Sequence, residues 1–140
     1  MNRVPFPHRA VSVVLVGCGW ALACTGNLSG PAERPLAAGR WTGNGACLSV
    51  TDTDCNLAVG CGHGQFKRPI VRRDGIFEAD GTYRIEVGPI SIDPAPPAHF
   101  SGYVDGSRLI LSVMPTSAPL QPATYEMRPA TAGTCPIPCL

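Results

Sequence analysis

Short apolar segments recur along the chain, each bounded by glycine, proline or aspartate. In the clearest of them, TYRIEV at 82–87, the aromatic and aliphatic residues share one side and the charged residues share the other. Alternation with a period of two is typical of a β-strand that buries one face. No segment has the 3.6-residue period of a long amphipathic helix. The pattern therefore predicts an all-β protein.

The opening of the fold is predicted between Trp41 and Phe66. We interpret Trp41–Val50 as one strand and Thr51–Asp54 as a polar turn, because Asp and Thr side chains bond nearby backbone groups. A second strand follows and ends in Gly60–Gly64, where alternate glycines allow the backbone to bend or to approach a neighbour. This predicted hairpin holds three of the seven cysteines.

Six further strands are predicted downstream, at 66–73, 76–79, 82–87, 99–104, 108–113 and 123–128. The Asp-Gly pairs at 74–75, 80–81 and 105–106 are tight-turn signals. Gly88–Pro97 and Pro115–Pro122 are proline-rich loops. Because successive strands are joined by such connections, we predict an antiparallel meander of about seven or eight strands that closes as a small barrel or sandwich.

The N-terminus has the pattern of an export signal. A positively charged start, MNRVPFPHR, precedes an apolar run at 10–17 that is too short to span a membrane. LVGC at 15–18 resembles the lipobox of bacterial lipoproteins, whose cysteine is acylated and becomes the new N-terminus. ALA at 21–23 offers a second processing site before Cys24. ALAC at 21–24 is also a loose lipobox, although Ala is less typical than Leu at its first position. Acylation of Cys18 also leaves an even number of cysteines, so we favour Cys18.

These features predict three parts of the chain. Residues 1–17 are a lipoprotein-type signal peptide, 18–38 are a flexible tether rich in Gly, Pro and Ala, and 39–140 are the β-domain. The protein is therefore expected to be exported and membrane-anchored, in the periplasm or at the cell surface. Without Arg3 and Arg9, nine basic residues face ten acidic ones. This balance argues against nucleic acid as a partner.

The residues that could carry chemistry form no strong motif. His63 stands between two glycines, and we interpret it as a brace of the bend through a backbone hydrogen bond, or alternatively as a ligand or general base. His99 has the position of an exposed strand residue. The chain has no G-x-S-x-G motif, and we predict that it is not an enzyme. A basic cluster, Lys67, Arg68, Arg72 and Arg73, is either a solvated strand pair or a contact for lipid head groups.

The mature cysteines are expected to form disulfides, as is common in exported proteins. Only Cys135 and Cys139 approach the spacing of a zinc knuckle, and two prolines stiffen the loop between them. We therefore predict no metal and no cofactor. A metal-binding protein built on the cysteines is kept as an alternative.

Several motifs, taken in order, resemble an uncharacterised group of small exported bacterial proteins. They are W-x-G at Trp41, C-x-H-G at Cys61–Gly64, D-G-x-F at Asp74–Phe77, S-G-x-V-x-G-x-x-L-x-L-x-V at Ser101–Val113, and a terminal Cys-Leu. The resemblance covers about 41–140 and implies the domain boundaries and the strand count. The G-x-W opening, Gly39–Trp41, is also similar to lipocalin-like barrels and to one class of periplasmic protease inhibitors.

The resembling proteins carry cysteine at the positions of Cys61 and Cys139, which implies a bridge between these two. Cys47, Cys55 and Cys135 are then expected to supply a second bridge and to leave one thiol for Cys24. The function expected from these features is a non-enzymatic binding or structural module of the bacterial cell envelope. Its partners would be the membrane, through the lipid anchor, and an unknown envelope protein or ligand. A periplasmic protease inhibitor is the second alternative.

The lipobox at 15–18 generates the first testable prediction. Cys18→Ala should release the protein into the soluble fraction or leave it unprocessed, because the acyl chains that anchor it can no longer be attached. Detergent partitioning and the mass of the mature N-terminal peptide measure both effects. Unchanged membrane association of the variant, or a mature N-terminus at Cys24, would contradict the assignment.

Overall fold

The computed structural model describes residues 32–86, 94–116, 120–131 and 133–136, and β-strands make up most of them. Its ten strands are β1 Arg34–Pro35, β2 Gly39–Gly43, β3 Ala46–Val50, β4 Asp54–Val59, β5 Gly62–Lys67, β6 Ile70–Val71, β7 Ile76–Ile85, β8 Pro97–Asp105, β9 Arg108–Pro115 and β10 Ala123–Ala130. In this described part, no helix is long and apolar enough to cross a membrane. The predicted signal peptide, Cys18, Cys24 and Cys139 lie outside the described residues.

Eight of the strands form one closed antiparallel barrel. Around the barrel they follow the order β10-β2-β3-β4-β5-β7-β8-β9. β10 closes the ring against β2, with Pro129 opposite Trp41. The remaining strands, β1 and β6, pair with each other as a separate two-stranded ribbon. The prediction of an all-β antiparallel meander is confirmed, and the barrel is the form that it takes.

The opening stretch contains four strands, so the prediction of a single hairpin there was wrong. The chain turns at Asn44 and Gly45, which have φ of 50° and 74°. Positive φ at both central residues is the geometry of a two-residue hairpin turn, for which Asn-Gly is the preferred pair. A further turn falls at Gly60–Cys61, where Gly60 has φ of 51°. β2 to β5 therefore form three successive hairpins.

Two other predicted boundaries also differ. The Asp80–Gly81 pair lies inside β7, which runs unbroken through the positions assigned to a turn. The 66–73 segment adds no strand to the barrel, because β5 ends at Lys67 and β6 pairs only with β1. The number of barrel strands still agrees with the prediction. The missed turns at 44–45 and 60–61 add two strands. Two predicted strands are lost, because 66–73 adds none to the barrel and β7 replaces the two strands predicted on either side of Asp80–Gly81.

Large apolar side chains fill the barrel. Phe66 and Phe100 stack with ring centroids 4.3 Å apart. The largest fully buried side chains around them are Phe77, Leu36, Leu48, Leu57, Leu109, Leu111, Met127, Val113 and Cys55. Gly64 leaves room for this packing, since a Cβ there would stand 3.1 Å from the Phe100 ring. The barrel is a packed core.

The meander sorts its connections between two ends of the barrel. One end, which we name the proline-loop end, carries the turns at 44–45 and 60–61 and the connections from β7 to β8 and from β9 to β10. The other, the ribbon end, carries the turns at 51–53 and 105–107 and the β1–β6 ribbon.

The close approach of β5 and β7 generates a prediction about stability. A Cβ at Gly81 would stand 2.0 Å from the backbone oxygen of Gln65, so Gly81→Ala must push the two strands apart. We expect a loss of about 1–3 kcal/mol in the free energy of unfolding, the usual range for overpacking. Urea unfolding at equilibrium measures it.

The matched control is Glu78→Ala, which changes an exposed position of the same strand. Such surface substitutions usually alter stability by no more than about 0.5 kcal/mol. Equal urea midpoints for the Gly81→Ala variant and the wild type would show that the strands tolerate the added methyl group.

Candidate functional site

A C-terminal segment crosses the outside of the barrel. After β10 ends at Ala130, the chain passes over β2 and β3, and we name residues 133–136 the strap. Cys135 forms a disulfide with Cys47 on the outer face of β3, 88 residues earlier in the chain. Arg40 Nη1 also donates a hydrogen bond of 3.2 Å to the carbonyl oxygen of Thr134. The strap thus covers part of an otherwise solvent-facing sheet.

Beside the strap lies a surface cleft of about 320 Å³. Strands β4, β5 and β7 form its floor, and the strap forms one wall. Its lining residues are Asn56, Leu57, Ala58, His63, Arg84, Glu86, Cys135 and Pro136. Polar groups from three strands therefore converge next to the apolar surface of a proline and a disulfide.

His63 lies on the outer face of β5, with Ala58 of β4 on one side and Arg84 of β7 on the other. Its Nε2 atom is buried and has no hydrogen-bond partner. The predicted backbone hydrogen bond, which was to brace the bend, is therefore not made by this atom. Burial is the main cause that lowers the pKa of the His63 imidazole, the Arg84 charge lowers it further, and the Glu86 carboxylate opposes both.

Arg84 and Glu86 form an ion pair in the same cleft. Arg84 Nε and Nη2 lie 2.9 and 2.7 Å from Glu86 Oε1, and about one quarter of each side chain is exposed. Both bonds use one carboxylate oxygen, so the pair leaves Arg84 Nη1 and Glu86 Oε2 for other groups. Nearby, Gln65 Nε2 donates to Asn56 Oδ1 at 3.2 Å, which leaves the Asn56 amide nitrogen for another acceptor.

This arrangement can bind a ligand that combines polar and apolar groups. The ion pair makes the cleft nearly neutral, while Arg84 and Asn56 supply donors. His63 shares the cleft with a carboxylate, a juxtaposition that general acid–base catalysis uses, but that carboxylate is bonded to Arg84. The lining residues include no serine or threonine, and the sulfur of Cys135 is in a disulfide.

His99 lies elsewhere, on the outer face of β8. Its Nδ1 atom is 2.8 Å from Asp80 Oδ1, and the Asp80 side chain is 92% exposed. Asp80 therefore lies open to solvent, whereas His99, which was interpreted as an exposed strand residue, is partly buried.

Carboxylates neutralise most of the predicted basic cluster. Lys67 lies 2.7 Å from Asp54, Arg68 lies 3.7 Å from Asp52, and Arg72 lies 3.6 Å from Asp74. Exposed ion pairs of this kind contribute little to stability, because water screens the two charges. Their effect here is on the surface charge, which is balanced where the sequence suggested a basic patch.

The described cysteines are in three different states. Cys47 and Cys135 form the second bridge that was expected from Cys47, Cys55 and Cys135. Cys61 is also disulfide-bonded, with its partner outside the described residues. Cys55 is a free thiol inside the barrel, and burial raises its pKa to about 12. The expectation that the remaining thiol of Cys47, Cys55 and Cys135 pairs with Cys24 was wrong. That thiol belongs to Cys55, which the packed core encloses.

The free thiol of Cys55 removes the cysteine-count argument for Cys18, because an even count of mature cysteines is not required when one of them is unpaired. The lipobox at 15–18 remains the ground for the prediction that Cys18 is acylated. As for metals, no three His, Cys, Asp or Glu side chains of the described segments come together as ligands.

The fold and the cleft together define the class of this protein: a closed eight-stranded antiparallel barrel with a disulfide-tethered strap on its outside. Comparisons with family models, curated proteins and solved structures give no match.

The path of the strap generates a prediction about the second disulfide. Pro136 lines the cleft together with His63, which is two residues from Cys61, and Cys139 follows three residues after Pro136. Three residues span at most about 10 Å, a reach that fits a Cys61–Cys139 bridge. Such a bridge should lower the entropy of the unfolded chain by the equivalent of about 4–5 kcal/mol.

Peptide mapping without reduction should therefore find the peptides of Cys61 and Cys139 linked, and reduction should separate them. Cys61→Ser should lower the urea midpoint, because the unfolded chain regains that entropy. A peptide that joins Cys61 to Cys24 would contradict the prediction.

Proposed function

We propose that this protein is a non-enzymatic binding module of the bacterial cell envelope, held at the membrane by a lipid on its N-terminal cysteine. The observation that carries the proposal is the packed interior. Phe66, Phe100 and their neighbours occupy the space in which a barrel would otherwise hold a ligand. Recognition is therefore assigned to the outer surface.

The cleft beside the strap is the part of that surface best suited to recognition. It offers hydrogen-bond donors from Asn56 and Arg84, an unpartnered imidazole nitrogen, and an apolar wall at Pro136. Interfaces commonly combine an apolar centre with a few placed polar groups. The balanced charge favours a neutral or zwitterionic segment of an envelope protein or ligand.

The geometry of the anchor is compatible with this use of the cleft. β1 lies within the C-terminal part of the predicted tether, 18–38, and it pairs with β6 at the ribbon end. The cleft lies toward the opposite end, since Glu86 immediately precedes the β7–β8 connection. A lipid at the N-terminus would therefore hold the ribbon end near the membrane and direct the cleft away from it.

The test is a capture experiment with the lipidated protein and envelope extracts, in which Arg84→Ala is compared with Arg108→Ala. Arg108 is a matched control, because it is also an outer-face arginine next to a glutamate, Glu126, at 4.0 Å. We expect Arg84→Ala to lose a partner that the wild type and Arg108→Ala retain, since only the first substitution removes a donor from the cleft.

Equal capture by both variants would overturn the assignment of the cleft. Turnover of a substrate that His63→Ala abolishes with folding intact would overturn the non-enzymatic proposal. Inhibition of a periplasmic protease on mixing, or stoichiometric metal in protein isolated from the envelope, would favour the inhibitor or the metal-binding alternative.

A further inference from the structure

Within 133–136, the strap is attached to the barrel mainly through the Cys47–Cys135 disulfide. Thr134 and Pro136 are exposed, and Cys135 is only partly buried. Within the described residues, a single hydrogen bond joins the strap to the barrel, from Arg40 to the carbonyl oxygen of Thr134. Little apolar surface and few hydrogen bonds therefore oppose its release.

Two buried polar atoms lie along the strap and lack partners. They are Arg40 Nε and His63 Nε2. Among the described residues, no other buried side-chain nitrogen or oxygen atom lacks a hydrogen bond. Gly133 stands close to the Arg40 guanidinium, and Cys135 and Pro136 line the cleft next to His63. A buried polar group without a partner opposes folding, because it has lost its water. Water would reach both atoms if the strap left.

The barrel itself does not depend on the strap. Its ring is closed by the pairing of β10 with β2, which uses residues up to Ala130. The core side chains belong to the strands and to the segment around β1 and β6. Loss of 133–136 from the surface would leave the ladders and the core in place.

We propose that the strap is a redox-released wall of the cleft, closed when Cys47 and Cys135 are bonded and open when they are reduced. Only the effect of the strap on binding rests on the proposed function. The release of the strap follows from the attachment described above.

The reductant is a dithiol, either a small molecule or a thiol–disulfide exchange protein. Its thiolate attacks the sulfur of Cys135, the more exposed of the two, and Cys47 leaves as a thiolate that takes up a proton. The second thiol of the reductant then displaces Cys135, which also becomes a thiol. Two electrons and two protons are transferred, and the reductant becomes a disulfide.

The experiment uses the mature protein in detergent, with and without a small dithiol, and follows amide hydrogen exchange by mass spectrometry. We expect reduction to speed exchange in the peptide that contains 133–136 by at least tenfold, while peptides from β2 and β3 stay protected. An NMR titration should show the His63 pKa moving up toward its ordinary value as water reaches the ring, with Arg84 of β7 and Glu86 just after β7 still facing it.

Variants separate the Cys47–Cys135 disulfide from the disulfide of Cys61, whose partner lies outside the described residues. Cys47→Ser with Cys135→Ser removes the bond of the strap, and Cys61→Ser added to that pair also removes the second bond. We expect the triple variant to behave like the reduced wild type without any reductant. The control is Cys55→Ala, which removes a cysteine that is not bonded and should leave exchange in the strap unchanged.

Slow exchange of the strap in both the reduced wild type and the triple variant would overturn the proposal. So would exchange that spreads to β2 and β3 together with the strap, because the strap would then be part of the stable fold. Capture of the Arg84-dependent partner should be lost on reduction. If neither state captures a partner, the proposed function fails while the exchange result still decides the release of the strap.

Discussion

The pairing of β10 with β2 is the constraint on which the rest of the structure depends. It joins the last strand to the first strand of the barrel and leaves no unpaired edge in that sheet. A closed ring of eight strands has an interior that side chains can just fill, and here they fill it. Closure therefore gives this small domain its core.

The outer surface is shaped by a covalent bond where the barrel provides no partner strand. The strap follows β10 but adds no strand to the sheet, and the Cys47–Cys135 bond holds it across β2 and β3. A bond that spans 88 residues should stabilise the fold by about 4–5 kcal/mol through the entropy of the unfolded chain. The same bond builds one wall of the cleft, so the stability of the domain and the shape of its candidate site are linked.

The fold was predictable because its signals are local. Alternation such as that of 82–85 and turn pairs such as Asp105–Gly106 act over a few residues, and the structure has β7 and the turn after β8 at these places. Asn44–Gly45 was an equally local signal that the interpretation of 41–50 as one strand overlooked. Asp80–Gly81 misled for the opposite reason, because packing against β5 keeps that pair inside β7.

The candidate site was predictable only in part, because it depends on register. His63 stood out from its glycine neighbours, but Arg84 and Asn56 join it through the pairing of β5 with β7 and β4. Nothing in the sequence near Arg84 indicates that it lies opposite His63. The buried thiol of Cys55 was missed for a similar reason: the alternation of β4 decides which side chains face the core, and a cysteine there behaves as a small apolar residue.

Cys55 also changes how the number of cysteines bears on the anchor. With this thiol enclosed in the core, an odd number of mature cysteines accounts for two disulfides and one unpaired residue. If Cys61 bonds to Cys139, acylation at Cys24 would leave no cysteine unexplained, whereas acylation at Cys18 would leave Cys24 without a partner. The packing of one barrel strand thus bears on how the number of cysteines is interpreted for a segment far from it in the chain.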